Sequence, residues 1–204
     1  MRSFVAFEIP APVRGVVGRR MAEERRSLPP ARWVHPDNLH LTLTFLGPVE
    51  DAALPALGAA LEAAFAAHPP LTLRLAGAGC FPPPAPAGRR RPARVAWVGI
   101  EVEEGAERLR AVQAAVDGAA RSVVGLPEEA RPWSAHLTLA RPREPWRGDA
   151  AEAFAAAFSP PLGEAFRVES GVLVASEPGR GPGGGSLYRA VARYPLAVAV
   201  EAGG

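Results

Sequence analysis

The chain has no lysine, and all 23 of its cationic side chains are arginine. That absence excludes chemistry requiring an amine nucleophile, such as a Schiff base or a lysyl-adenylate intermediate. It also excludes the lysine of a P-loop. Cysteine is nearly absent: Cys80 alone permits no intramolecular disulfide and no cysteine-rich zinc site. Lying at the end of an apolar run that leads into prolines, Cys80 reads as a small buried hydrophobe and not as a nucleophile. No apolar run approaches the ~20 residues that span a bilayer. The opening Met1-Arg2-Ser3-Phe4-Val5-Ala6-Phe7-Glu8 lacks the apolar core and cleavage site of a secretory signal and reads as a first strand. A cytoplasmic protein with no membrane association is the expectation. A large excess of one charge is missing too. The formal net charge is +2, and the sequence pI near 9.3 reflects arginines that do not titrate. Binding to long duplex DNA by charge alone is not expected from such a balance.

What is present suits an ordinary soluble globular protein. A chain of 204 residues, 48% of them apolar, can bury a core without disulfide or metal support. Phe4 to Ile9 reads as a strand, and a helical pattern follows Pro10-Ala11-Pro12 to about Ser27, with Arg19, Arg20, Arg25 and Arg26 on its solvated face. Arg32-Trp33-Val34 and a turn at His35-Pro36-Asp37 precede a strand over His40–Leu46, stopped by Gly47-Pro48. Asp51 to Ala67 reads as a helix and Leu71 to Ala76 as a strand. Residues 82–93, dense in proline with Arg89-Arg90-Arg91 near the tip, read as an exposed loop. The order then repeats: strand Arg94–Val102, helix Glu103–Val124, strand His136–Ala140, helix Ala150–Phe158, strand Phe166–Ala175, and a closing strand Ser186–Leu196. Such a duplication predicts an α+β fold of two similar lobes, each a sheet backed by helices, within one bilobal unit spanning 1–204.

The repeat contains a motif. His-Leu-Thr-Leu occurs at 40–43 and again at 136–139, and these two motifs begin with two of the four histidines in the chain. Side chains alternate along a strand, so His40 and Thr42 share one face while Leu41 and Leu43 share the other, and likewise for His136 and Thr138 against Leu137 and Leu139. The leucines are expected to pack on helices, leaving two imidazoles and two hydroxyls around a common cleft. An imidazole pKa near ~6.5 lets one ring be neutral and the other charged near neutral pH. One then takes a proton from water and the other gives one to a leaving oxygen, while threonine hydroxyls donate to non-bridging phosphate oxygens. That chemistry fits a phosphodiester, though it does not order the pair. By parity Arg141 falls on the leucines' face, unless Ala140 begins a bulge, and it is a secondary candidate for gripping phosphate.

These motifs and their flanks resemble the 2H phosphoesterase superfamily, and within it the RNA 2',3'-cyclic phosphodiesterases of bacteria and archaea, also called 2'-5' RNA ligases. The likeness runs through Phe4-Val5-Ala6-Phe7, Arg32-Trp33-Val34, Asn38-Leu39-His40, Phe45-Leu46-Gly47, Arg131-Pro132-Trp133, His136 to Arg141, Tyr188 and Tyr194-Pro195-Leu196. Ser134-Ala135 departs from the proline often found before the second histidine. The resemblance implies a bilobal fold, no cofactor and no metal, and attack of water on a 2',3'-cyclic phosphate to leave a 2'-phosphomonoester. It implies His40 as proton donor and His136 as proton acceptor, with Thr42, Thr138 and Arg141 binding substrate. The implied partner is RNA with a cyclic phosphate end, or a cyclic nucleotide, handled by a monomer.

Three rival readings are weaker. Two histidines do not make a catalytic zinc site, which usually needs a third protein ligand, and His35 and His68 have no motif of their own. Gly179-Arg180-Gly181-Pro182-Gly183-Gly184 matches the dinucleotide-binding spacing but contains Pro182 and leads into a strand where a helix is required, so it reads as a hairpin loop. ATP-independent joining of RNA ends through 2'-5' bonds, or RNA-end binding without catalysis, is the alternative function.

Overall fold

The structure is a computed structural model that describes residues 1–82, 92–127 and 132–197. The Arg89–Arg91 tip and Arg131 lie outside the described residues. The elements follow in chain order as β1 (Arg2–Glu8), α1 (Ala11–Glu24), β2 (Ala31–Trp33), β3 (His40–Pro48), α2 (Leu54–Ala66), β4 (Leu71–Phe81), β5 (Val95–Val102), α3 (Ala106–Val124), β6 (His136–Pro142), α4 (Gly148–Phe158), β7 (Phe166–Val168), β8 (Ser170–Glu177) and β9 (Leu187–Pro195).

Each helix buries one stripe. Val13, Val17 and Met21 do so in α1, Leu57, Leu61 and Phe65 in α2, Leu109, Val112, Val116 and Ala120 in α3, and Phe154 and Phe158 in α4. These are the three- and four-residue spacings that put side chains on one helix face. Proline at the first turns of α1 and α2 costs nothing, because the amides there have no intrahelical acceptor. The arginines expected on the outer face of α1 lie there except Arg20, whose Nη1 donates to the carbonyl of Ala157 at the end of α4 (3.0 Å).

The strands form two antiparallel sheets, one in the order β3-β1-β8-β9 and one in the order β2-β6-β5-β4-β7. Reading β3-β1-β8-β9 against β6-β5-β4-β7 gives the internal symmetry that the repeated element order predicts. The sheets are not built one from each half, however. β4 follows the first motif but pairs with β5 and β7 in the second sheet, while β8 follows the second motif but pairs with β1 in the first. The first half thus gives β2 and β4 to the second sheet, and the second half gives β8 and β9 to the first. Buried side chains from both sheets consequently join one continuous core.

Three strand assignments need correction. β3 is not stopped by Gly47-Pro48 but runs through both, which pair with Ser3 and Arg2 of β1. Phe166–Ala175 is not one strand. It breaks at Glu169, β7 pairing with β4 in one sheet and β8 with β1 in the other. The alternation at Phe166-Arg167-Val168 followed by the apolar run Val172–Ala175 reads as one strand, although the polar Glu169-Ser170 stands at the break. β4 runs on to Phe81, past the expected end at Ala76, through an irregularity between Leu75 and Ala78 that Gly77 accommodates at φ +69°. Cys80 is buried as expected, and burial pushes its thiol pKa up to about 11, far from reactive thiolate. The glycine-rich stretch lies in the connection between β8 and β9 and opens no α-helix.

Candidate active site

In β3 and β6 the alternation is as the motif predicts. Leu41, Leu43, Leu137 and Leu139 are fully buried, while His40, Thr42, His136 and Thr138 remain partly open to solvent. Past the second leucine both strands bulge. In the β1–β3 ladder Val5 faces Thr44 and Ala6 faces Thr42, leaving Leu43 as the extra residue. In the β5–β6 ladder Ala96 faces Ala140 and Trp97 faces Thr138, leaving Leu139. A bulge reverses the side-chain parity beyond it. Ala140 therefore turns inward and Arg141 outward, onto the face of His136 and Thr138. The simple parity that put Arg141 with the leucines is overturned by this extra residue. The equivalent position on β3 is Phe45, a large apolar side chain left 64% exposed.

Each histidine is held in the same way. His40 Nδ1 lies 2.7 Å from the carbonyl of Asn38, and His136 Nδ1 lies 2.8 Å from the carbonyl of Ser134. A carbonyl can only accept, so Nδ1 donates in both rings and Nε2 is the nitrogen left to exchange a proton with a ligand. Aromatic rings enclose both imidazoles. Phe4 stacks on His40 at 4.6 Å between centroids, and Tyr188 meets its edge at 5.3 Å. Phe81 and Trp97 flank His136 at 5.1 and 6.2 Å. Gly79 makes the second arrangement possible, because a Cβ there would come within 2.6 Å of the Trp97 ring. These four rings escaped the motif reading, although Phe4 and Tyr188 stand among the residues of the family likeness.

Desolvation in these surroundings dominates the titration of both groups. It lowers the His40 pKa to about 4, partly offset by the Asn38 carbonyl and reinforced by the charge of His136. His136 is also lowered, first by desolvation and further by Arg141, against the Ser134 carbonyl. His40 thus feels the charge of His136, although the two rings come from different sheets. Beside His40 a cavity of about 290 Å³ opens along β1, β8 and β9, lined by Phe4, Tyr188, Arg14, His35 and Asp37. His35 therefore lies near the first motif, whereas His68 follows the end of α2 and makes no approach to it. Among the described residues no three His, Cys, Asp or Glu side chains converge in a way that could hold a metal ion.

The first motif strand is tied to the second half of the chain at three consecutive residues. Trp133 Nε1 donates to the Thr42 carbonyl (3.1 Å), Gln113 Nε2 to the Leu43 carbonyl (3.2 Å), and Thr44 Oγ1 to Asp117 Oδ1 (2.5 Å). Arg121 Nε donates to the same Asp117 oxygen at 2.7 Å. The bulge in β3 is thereby fixed from α3 and from the segment that leads into His136.

The model of the 2'-5' RNA ligase superfamily matches residues 12–180. The chain belongs to that superfamily. It is 30% identical over 196 residues to an RNA 2',3'-cyclic phosphodiesterase of Geobacillus stearothermophilus, covering 95% of this chain and 56% of that protein. The chain thus spans little more than half the length of that relative. A Methanothermobacter thermautotrophicus protein of the same name is 28% identical over 177 residues, covering 87% of this chain and 86% of that one. Among solved structures, a Thermus thermophilus protein aligns with a TM-score of 0.70 at 29% identity, covering 96% of this chain and 98% of the other. Escherichia coli LigT complexed with 3'-AMP aligns with a TM-score of 0.70 at 26% identity, covering 97% and 98%. The fold is that of the LigT-like 2H phosphoesterases. No helix among the described residues is long and apolar enough to cross a membrane.

Proposed function

We propose that this superfamily member hydrolyses 2',3'-cyclic phosphates at RNA ends or on nucleotides, leaving a 2'-phosphomonoester. The observation that carries the reading is the pair of imidazoles, from equivalent strands of the two sheets, each with Nδ1 on a backbone carbonyl and close enough for the charge of His136 to act on His40. Water attacks phosphorus as His136 takes its proton, and the 3'-oxygen leaves as His40 supplies one. A water molecule is added across the P–O3' bond, and the histidines exchange protonation states. Thr42, Thr138 and Arg141 stabilise the non-bridging oxygens, where charge accumulates. The names of the curated relatives support the activity, and the family resemblance supports the order of acid and base. No step needs a metal or cofactor. We read the described residues as one bilobal unit that completes its cleft as a monomer in the cytoplasm.

The test is product analysis on RNA with a 2',3'-cyclic end, in excess EDTA, with a readout that separates 2'- from 3'-phosphate. A 2'-phosphate formed at an undiminished rate is expected. A 3'-phosphate product, binding without turnover, or loss of activity restored by a divalent ion would each reject the reading.

The pH dependence follows from the titration of the cleft. At a pKa of about 4, His40 is neutral in the empty cleft at neutral pH, so a donor role requires it to gain a proton together with the anionic substrate. The bell for kcat/KM, which reports the free enzyme, is expected to have its alkaline limb below the ordinary imidazole pKa of ~6.5. The limb for kcat is expected at higher pH, because bound phosphate favours the charged ring. Coincident limbs for the two parameters, or a flat profile, would count against paired imidazole catalysis.

A further inference from the structure

β2 is the edge strand of the second sheet, and its register puts Arg32 directly opposite Arg141 on β6. Directly paired residues of an antiparallel ladder project to the same face, with Cβ atoms roughly 4.5–5.5 Å apart. The neighbouring pair fixes which face. Trp33 faces Ala140, and the Trp33 ring packs inward on Phe154 and Phe158, so Arg32 and Arg141 both point outward, on the side that the bulge gives to His136. Both are exposed, and among the described residues neither has a carboxylate partner. Like charges directly opposite on a ladder are destabilising. A three-residue edge strand could hold almost any polar residue at its outward position, so an arginine there costs stability unless an anion lies between the two guanidiniums.

We propose that Arg32 extends the phosphate grip of Arg141 outward into a second subsite, which binds the backbone phosphodiester on the 5' side of the terminal nucleotide, so that the cleft favours an RNA chain end over a cyclic mononucleotide. This rests on the cyclic phosphodiesterase reading. Arg141 is the inner member, close enough for its charge to lower the titration of His136. Arg32 stands one strand further from His136, about 4.8 Å out, and is placed for the next phosphate along the chain. Guanidinium forks suit phosphate oxygens bidentately.

The test compares Arg32→Gln with wild type on a dinucleotide and a mononucleotide, each ending in a 2',3'-cyclic phosphate. A fall in kcat/KM of about tenfold on the dinucleotide is expected, with the mononucleotide within twofold and a Tm equal to or above that of wild type, since a repulsion is removed. A merely structural role would lower Tm and both substrates together. Equal losses on both substrates, or no loss on either, would overturn the subsite. Calorimetric binding of the corresponding 2'-phosphorylated dinucleotide and mononucleotide needs no turnover. Selective loss of dinucleotide affinity in Arg32→Gln supports the subsite even if wild type opens neither cyclic end, a result that would reject only the hydrolase reading. Unchanged dinucleotide affinity overturns the subsite.

Discussion

Replacing His136 by alanine is expected to lower kcat on a 2',3'-cyclic phosphate by a hundred- to ten-thousand-fold or more, the range for loss of a single proton transfer in the transition state (about 10²–10⁴). His40→Ala is expected to do the same. Because the two rings act on one displacement, the double variant should lose much less than the product of the single losses. Thr42→Val and Thr138→Val should cost less, since each removes one donor and leaves both proton transfers intact. The fold should survive all of these changes. The leucines between the cleft residues, not the histidines, carry the packing, and Leu41, Leu43, Leu137 and Leu139 are the fully buried members of each motif. Steady-state kinetics beside thermal unfolding separates the two effects. Near-normal turnover in His136→Ala would remove the proposed base.

The largest expected effect on stability lies at Phe65. The ring is fully buried, stacks on Tyr194 at 6.1 Å, meets Phe7 at 5.9 Å, and lies against the backbone of Gly171 so closely that a Cβ there would come within 2.0 Å of it. Phe65→Ala is expected to cost about 3–5 kcal/mol, and each kcal/mol lowers Tm by about 2–4 °C in a chain of this size. Gly171→Ala should also be severely destabilising, because the contact is with a ring packed on all sides and not with the end of a flexible side chain. Combining Gly171→Ala with Phe65→Leu should recover part of the loss by opening the space the new methyl needs. Additive losses in urea unfolding of the double variant would show that the close approach is not what limits residue 171. This contact joins α2 to β8, an element of the first half of the chain to one of the second, and so tests the strand exchange directly.

The two halves of the chain are therefore interlocked. α3 packs on β3 of one sheet and β5 of the other, and its Gln113 and Asp117 grip the first motif strand just beyond His40. The position of the His40 strand relative to the second half depends on the same contacts that hold the core.

Local pattern determined a good deal here. The two-residue period of His-Leu-Thr-Leu assigned leucines to the core and His and Thr to the open face, because strand geometry alone sets that alternation. The helical stripes and the buried, inert Cys80 were likewise local consequences of side-chain chemistry. The equivalence of the halves came from repetition. What only the tertiary structure decided were relations between distant segments. In Phe166–Ala175 the polar Glu169-Ser170 stands where the chain passes from one sheet to the other, but nothing local says that the two pieces pair with different sheets. The bulges after Leu43 and Leu139 are set by the partner strand's register, and they reverse the facing of Arg141 and expose Phe45. The depressed titration of His40 arises from rings contributed by β1 and β9, at opposite ends of the sequence. Pairing, register and desolvation are sums over neighbours that the chain meets only when folded.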